Sequence, residues 1–165
     1  LPSDGHAIGE ILVKGPGVAT SYFAYHGDDT HFTDGYWRTG DLGKIMPNGY
    51  LKLTDRLKDV IKSGGEWISS IDMENALTTH PDVREAAVVG VPDSKWQERP
   101  VALVVLRPES TTTEQDLRAT LDGLFARWQM PDEIHLVESI ARTSVGKIDK
   151  RSIRAQLATN AATRH

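Results

Sequence analysis

Two β-branched runs constrain this chain more than any other feature. Residues 86–91 and 101–106 are apolar stretches of strand length joined by the polar segment 92–100, and such runs bounded by turn residues read as strands. Each has a helical pattern beside it. Upstream, Ser69-Ser70-Ile71-Asp72 has the form of a capping box, and Met73, Ala76, Leu77 and His80 follow at helical spacing until Pro81 stops the pattern. Downstream, Thr113 with Asp116 opens a second helix, whose apolar stripe of Leu117, Leu121, Leu124, Phe125 and Trp128 lies along one face. Residues 133–138 read as a further strand and 142–147 as a loop. Asp149 can cap a last short helix carrying Ile153 and Leu157, after which 158–165 reads as a frayed tail. From Lys58 onward the predicted order is helix, strand, strand, helix, strand, helix. That is an α+β fold, a small domain of helices on a short mixed sheet.

The first third differs. It is rich in turns, has no helical pattern, and carries a short apolar run, Glu10-Ile11-Leu12-Val13-Lys14, closed by Gly15-Pro16-Gly17. Asn48-Gly49 between the apolar runs 42–46 and 50–54 predicts a hairpin. The shift in character near Asp55 sets the expected boundaries: 1–54 as strands of a larger domain, 55–58 as a hinge, 59–157 as the small domain. At 165 residues the chain has room for one ordinary domain and part of another. The leading Leu1-Pro2-Ser3 lacks a Met and a signal-peptide pattern, so the chain reads as an excised piece.

Several chemistries are excluded at this level. There is no Cys, which rules out disulfides, thiol catalysis and thiolate zinc sites. A net charge of −4 gives no footprint for nucleic acid, and no apolar run reaches the ~20 residues of a membrane span. The expected compartment is the cytoplasm. The six His never pair with Glu at zincin spacing, and neither Gly43-Lys44 nor Gly146-Lys147 completes a phosphate-binding loop, so no metal site is expected. Ser144-Val145-Gly146-Lys147 has the Ser-x-x-Lys spacing of penicillin-recognising enzymes, but glycine before the Lys argues against the helix that chemistry needs.

Three clusters remain. In Trp37-Arg38-Thr39-Gly40-Asp41, an Asp held in a glycine turn can accept hydrogen bonds from a vicinal diol, or simply form an Asx turn. The run from Asp55 to Trp67, with Lys62-Ser63-Gly64-Gly65 inside it, suits a solvated linker or a hinge whose backbone a ligand can approach. In Arg142-Thr143-Ser144-Val145-Gly146-Lys147, a Lys on a glycine-softened loop can place a point charge on a phosphate or carboxylate, or be one more solvated Lys.

In order and spacing these clusters resemble the C-terminal part of the acyl-adenylate-forming superfamily: acyl-CoA synthetases, firefly-type luciferases and adenylation domains. The likeness runs from about Gly9 to Leu157. Gly64-Gly65-Glu66-Trp67-Ile68-Ser69, Lys95-Trp96-Gln97-Glu98-Arg99-Pro100 and Trp128-Gln129-Met130-Pro131-Asp132 look most like medium- and long-chain fatty acyl-CoA synthetases. The resemblance implies a ligase that makes acyl-AMP from a fatty acid and ATP, then acyl-CoA with release of AMP. It makes Lys147 the catalytic cation, Asp41 and Arg56 the ribose-binding pair and Lys58 the hinge. Gly65, with Lys62 and Trp67, would serve the thioester step. ATP, CoA and Mg2+ are the implied ligands, held mainly by an absent N-terminal domain. Ala141 stands where the family usually has Pro, which loosens that loop. The isolated piece is expected to be inactive, and its strand edges could pair between copies. Two alternatives are an acyl-AMP ligase loading a carrier protein and a non-catalytic binding module of the same fold.

Overall fold

The computed structural model describes residues 1–22 and 30–163, with side chains followed to 159. His26, His165 and the end of the expected frayed tail lie outside them. The chain divides into two compact units, Leu1–Lys58 and Asp59–His165.

In the first unit the spine is β3 (Tyr36–Ile45). Strand β1 (Gly9–Val13) runs antiparallel along one side, while β2 (Phe32–Thr33) and β4 (Leu51–Arg56) share the other. The predicted hairpin is β3–β4, with a longer turn than a two-residue Asn-Gly connection. Met46 N donates to Tyr50 O at 2.8 Å, and only Gly49 of the pair takes a positive φ. That makes a three-residue loop around Pro47-Asn48-Gly49. Among its described apolar residues only Leu42 is buried, whereas Tyr50, Leu51 and Leu53 are more than half exposed. Among the described residues this sheet has no apolar cluster of its own.

The second unit has one, and the α+β expectation is met there. A hairpin of β5 (Ile61–Ser63) and β6 (Glu66–Ile68) leads into α1 (Ser70–Thr78). A long antiparallel pair follows, β7 (Val83–Asp93) with β8 (Gln97–Leu106), then α2 (Glu114–Leu121), β9 (Glu133–Leu136) and α3 (Lys150–Thr163). β9 runs parallel to β8, and β5 meets β8 where Ser63 pairs with Gln97. Strand alternation splits the apolar runs between two faces. Ala86, Val88, Ala102 and Val104 pack with Met73 and Leu77 of α1 and Leu117 and Leu121 of α2. Ala87, Val89, Val101, Leu103 and Val105 pack with Ile140 and with Ile153 of α3. These two clusters, in which each large side chain contributes about 1.5–3 kcal/mol on burial, are the apolar core of the unit.

Three elements differ from expectation. The β5–β6 hairpin was hidden in the charged stretch read as a linker. Helix α2 has the full predicted capping box, Thr113 with Asp116, but ends at Leu121. Leu124 is therefore 65% exposed, and Trp128 sits in a separate 3-10 turn, Arg127–Gln129. Helix α3 continues past Leu157 to Thr163.

Candidate functional site

In the first unit the β3–β4 register places Asp41 opposite Arg56. Arg56 Nε donates to Asp41 Oδ1 at 3.1 Å, and both side chains stay partly exposed. The Asp41 backbone is fixed by its N–H to Thr39 Oγ1, which itself donates to Ile11 O. Arg56 and Lys58 line a cleft of about 340 Å³ together with Thr39, Gly40 and Leu57. A carboxylate with one oxygen held by a guanidinium keeps its remaining lone pairs for hydroxyl donors such as those of a diol.

The second unit has a constellation at each end of its β7–β8 ladder. At one end Ser63 pairs with Glu66 across Gly64-Gly65, whose φ values are +62° and +86°. That is the two-residue turn in which both central residues are left-handed, and glycine is its ordinary solution. Gly64 has a second reason. A Cβ there would stand 3.0 Å from Trp96 Cε3, and Gly64 N donates to Trp96 O at 2.9 Å. At Gly65 a Cβ would meet nothing within 4 Å. The turn thus rests on Trp96 and leaves Gly65 open. Asp93 accepts from the backbone N–H of Trp96 and Lys95, both at 2.8 Å. These bonds, that of Trp96 foremost, hold its carboxyl below the usual carboxylate range.

Beside this turn lies a cleft of about 410 Å³ lined by Ser63, Gly64, Glu66, Trp96, Arg99, Trp128 and Asp132. Both tryptophans are 44% exposed. Indole walls suit a flat heteroaromatic ring. Lys62 and Trp67 pair with each other across the hairpin, on the face opposite to Ser63 and Glu66. Neither they nor Gly65 lines the cleft.

At the other end stands Lys147. Its loop is closed by Thr143 N to Lys147 O (2.8 Å) and Gly146 N to Thr143 O (2.9 Å), with Asp149 N donating to Ala141 O (2.8 Å). The residue in the usual proline position is thus tied by its carbonyl. Arg142 donates to Gly146 O and to Glu85 Oε2, each at 2.6 Å, pinning the loop to the start of β7. Behind it Asp149 caps α3 through Ser152, whose side chain foremost lowers the Asp149 pKa. Lys150 Nζ reaches Glu74 Oε1 at 2.7 Å. Lys147 is exposed, and its ammonium has no partner among the described residues. Glu85 and Asp93 are eight residue steps apart along β7, roughly 26 Å at about 3.3 Å per step. The lysine loop and the tryptophan cleft therefore stand at opposite ends of β7 within one compact unit.

Of the sequence-predicted residues, the structure joins Asp41 with Arg56 and sets Lys58 on the same cleft. Lys62, Gly65 and Trp67 share a hairpin, and Lys147 is separate from them. Trp96, Arg99 and Trp128 had been noted only as family-like flanks, Trp128 also as part of a helix stripe. Among the described residues no group of three His, Asp or Glu is placed to hold a metal, so no magnesium ligand is assigned in this chain. No described helix is long and apolar enough to cross a membrane.

Residues 72–147 match the AMP-binding enzyme C-terminal domain. The chain is 50% identical over 159 residues to a long-chain-fatty-acid–CoA ligase of Thermus thermophilus, covering 94% of this chain and 29% of that protein. It is 44% identical over 156 residues to a 3-methylmercaptopropionyl-CoA ligase of Ruegeria pomeroyi, again covering 94% and 29%. Its fold matches the crystal structure of ATP-bound MatB from Rhodopseudomonas palustris with a TM-score of 0.84 at 34% identity, over 94% of this chain and 31% of that one. The chain thus spans less than a third of the length of these relatives.

Proposed function

Residues 72–147 belong to the AMP-binding enzyme C-terminal domain family, and from that premise we propose that the chain is the C-terminal end of an ATP-dependent fatty acyl-CoA synthetase. Residues 1–54 would close the large domain, and 59–157 would form its mobile lid. The division of the chain between Lys58 and Asp59 supports a hinge at Lys58. The name of the Thermus thermophilus relative supports a fatty acid as the acid.

In the first step a carboxylate oxygen attacks the α-phosphorus of ATP, and the bond to pyrophosphate breaks. Lys147 would sit between the two anions and offset their charge, a role worth a few kcal/mol for a preorganised cation. Asp41, braced by Arg56, would receive the ribose hydroxyls. In the second step the CoA sulfur attacks the acyl carbon and AMP leaves. The open backbone at Gly65 would let the pantetheine arm pass, and the cleft of Trp96 and Trp128 would take the adenine of CoA. Lys62 and Trp67 would act only through the hairpin they build.

One observation carries this reading: a lysine with no partner among the described residues and an aromatic cleft stand at opposite ends of β7, whose Glu85 and Asp93 are roughly 26 Å apart. Two such ends cannot serve one reacting centre together, and a lid that turns between half-reactions uses them in sequence. The test joins the chain to its large domain and measures fatty-acid-dependent pyrophosphate exchange, then thioester formation with CoA. Exchange and thioester are both expected. No exchange with any acid would sink the proposal. Acyl-AMP that accumulates without a CoA thioester would give the second step to a carrier protein. The 165-residue chain alone is expected to show neither activity.

A further inference from the structure

We infer that Arg99 is a positioning residue that sets the aromatic cleft for its nucleotide ligand, an inference that rests on the proposed CoA step. Its side chain is only 12% exposed, and all five of its N–H groups are engaged. Nη1 donates to Ser63 Oγ at 3.1 Å and to Trp128 O at 2.7 Å. Nη2 donates to Met130 O at 3.1 Å and to Asp132 Oδ1 at 2.7 Å, while Nε reaches the same Oδ1 at 3.0 Å.

These acceptors lie on two segments far apart in sequence. Ser63 begins the turn whose Gly64 rests on Trp96, and the other acceptors belong to the segment that carries Trp128. The far end of that segment has further anchors: Asp132 N on Pro100 O, and Arg118 on the carbonyls of Pro131 and Asp132. The carbonyl of Trp128 itself is held by Arg99. One planar fork therefore fixes the wall bearing Trp96 relative to the wall bearing Trp128. A lysine cannot replace it, because an ammonium has three donors on a flexible stem and no fixed plane. With its loop held, Trp128 presents its ring without first having to be ordered, which is how preorganisation raises affinity.

The experiment uses Arg99→Lys in two settings. In the complete ligase the KM for CoA is expected to rise about tenfold, with fatty-acid-dependent pyrophosphate exchange unchanged. In the 165-residue chain labelled with 5-fluorotryptophan, the fluorine signals of Trp96 and Trp128 are expected to move while that of Trp37 stays. An unchanged KM, or exchange falling in parallel with thioester formation, overturns the inference. Unmoved signals for Trp96 and Trp128 overturn the clamp itself. If the unsubstituted ligase forms acyl-AMP but no CoA thioester, the acceptor reading fails by a result that the variant does not influence.

Discussion

The two ends of the β7–β8 ladder are built on opposite plans. At the tryptophan end a largely covered guanidinium spends every donor on protein acceptors, and the ligand surface is formed by rings and a glycine turn. At the lysine end the charged group has no partner among the described residues, and the effort goes into the backbone beneath it. Thr143, Gly146 and Arg142 close the loop, and Val145 at its tip is 77% exposed. A site that must recognise a ligand fixes its side chains. A site that must deliver a charge fixes the main chain and leaves the charge unneutralised.

The largest effect that could break this contrast is a crossed pair of substitutions in the complete ligase. Lys147→Ala is expected to lower pyrophosphate exchange by about 100- to 1000-fold, the usual cost of losing one preorganised stabilising group. CoA thiolysis of acyl-AMP supplied from outside should survive it. Gly65→Val should do the reverse. It puts a β-branched residue at φ +86°, slowing thiolysis about tenfold or more while exchange persists. If both variants damage both steps alike, the ends do not work in sequence. A smaller effect tests whether the loop is held from outside. Arg142→Gln removes the pin to Glu85, and exchange is expected to fall about tenfold with thiolysis unchanged. Equal loss in both steps would reduce Arg142 to a general stabiliser.

The sequence made the lysine end legible and the tryptophan end nearly invisible, for a physical reason. The Lys147 loop closes on itself within a few residues, so its glycine and its capping Asp149 stand next to it in the chain. Counting back along the β3–β4 hairpin would set Asp41 against Asp55; a bulge between Leu42 and Gly43 brings Arg56 there instead, and no local pattern announces it. The clamp at Arg99 joins Ser63 to 128–132, and no local pattern records a contact of that range. Trp128 was misassigned because its spacing continues the stripe of α2, although Asp122-Gly123 had already ended the helix. The β5–β6 hairpin was missed because its strands are three residues each, too short for alternation to outweigh their charges.

Acid should loosen both ends. Asp93 fastens the Trp96 turn and Asp149 caps α3 behind the lysine loop, and hydrogen bonds to backbone and hydroxyl donors lower the pKa of each. A carboxyl depressed in the folded state contributes stability above its unfolded pKa of about 3.9 and loses it as pH falls through the folded value. Melting temperature is therefore expected to hold steady above about pH 5 and drop below about pH 4. Asp93→Asn and Asp149→Asn should each shrink the drop. If neither does, the acid-sensitive carboxylates lie elsewhere.

The smallest effect compares one backbone conformation at the two ends. Gly146 in the lysine loop has φ +82°, and Gln97 beside the tryptophan cleft has φ +73°. A left-handed residue with a side chain costs about 1–2 kcal/mol in the fold, while glycine gives back roughly 0.5–1 kcal/mol through its freer unfolded chain. Gln97→Gly is therefore expected to stabilise the protein by up to about 1 kcal/mol, and Gly146→Ala to destabilise it by a similar amount, both read from urea unfolding. The strain at Gln97 would then be a cost carried at the recognising end alone. If Gln97→Gly instead destabilises, the Gln97 side chain makes a contribution to the turn that outweighs its strain, and the tryptophan end is more tightly built than its hydrogen bonds alone account for.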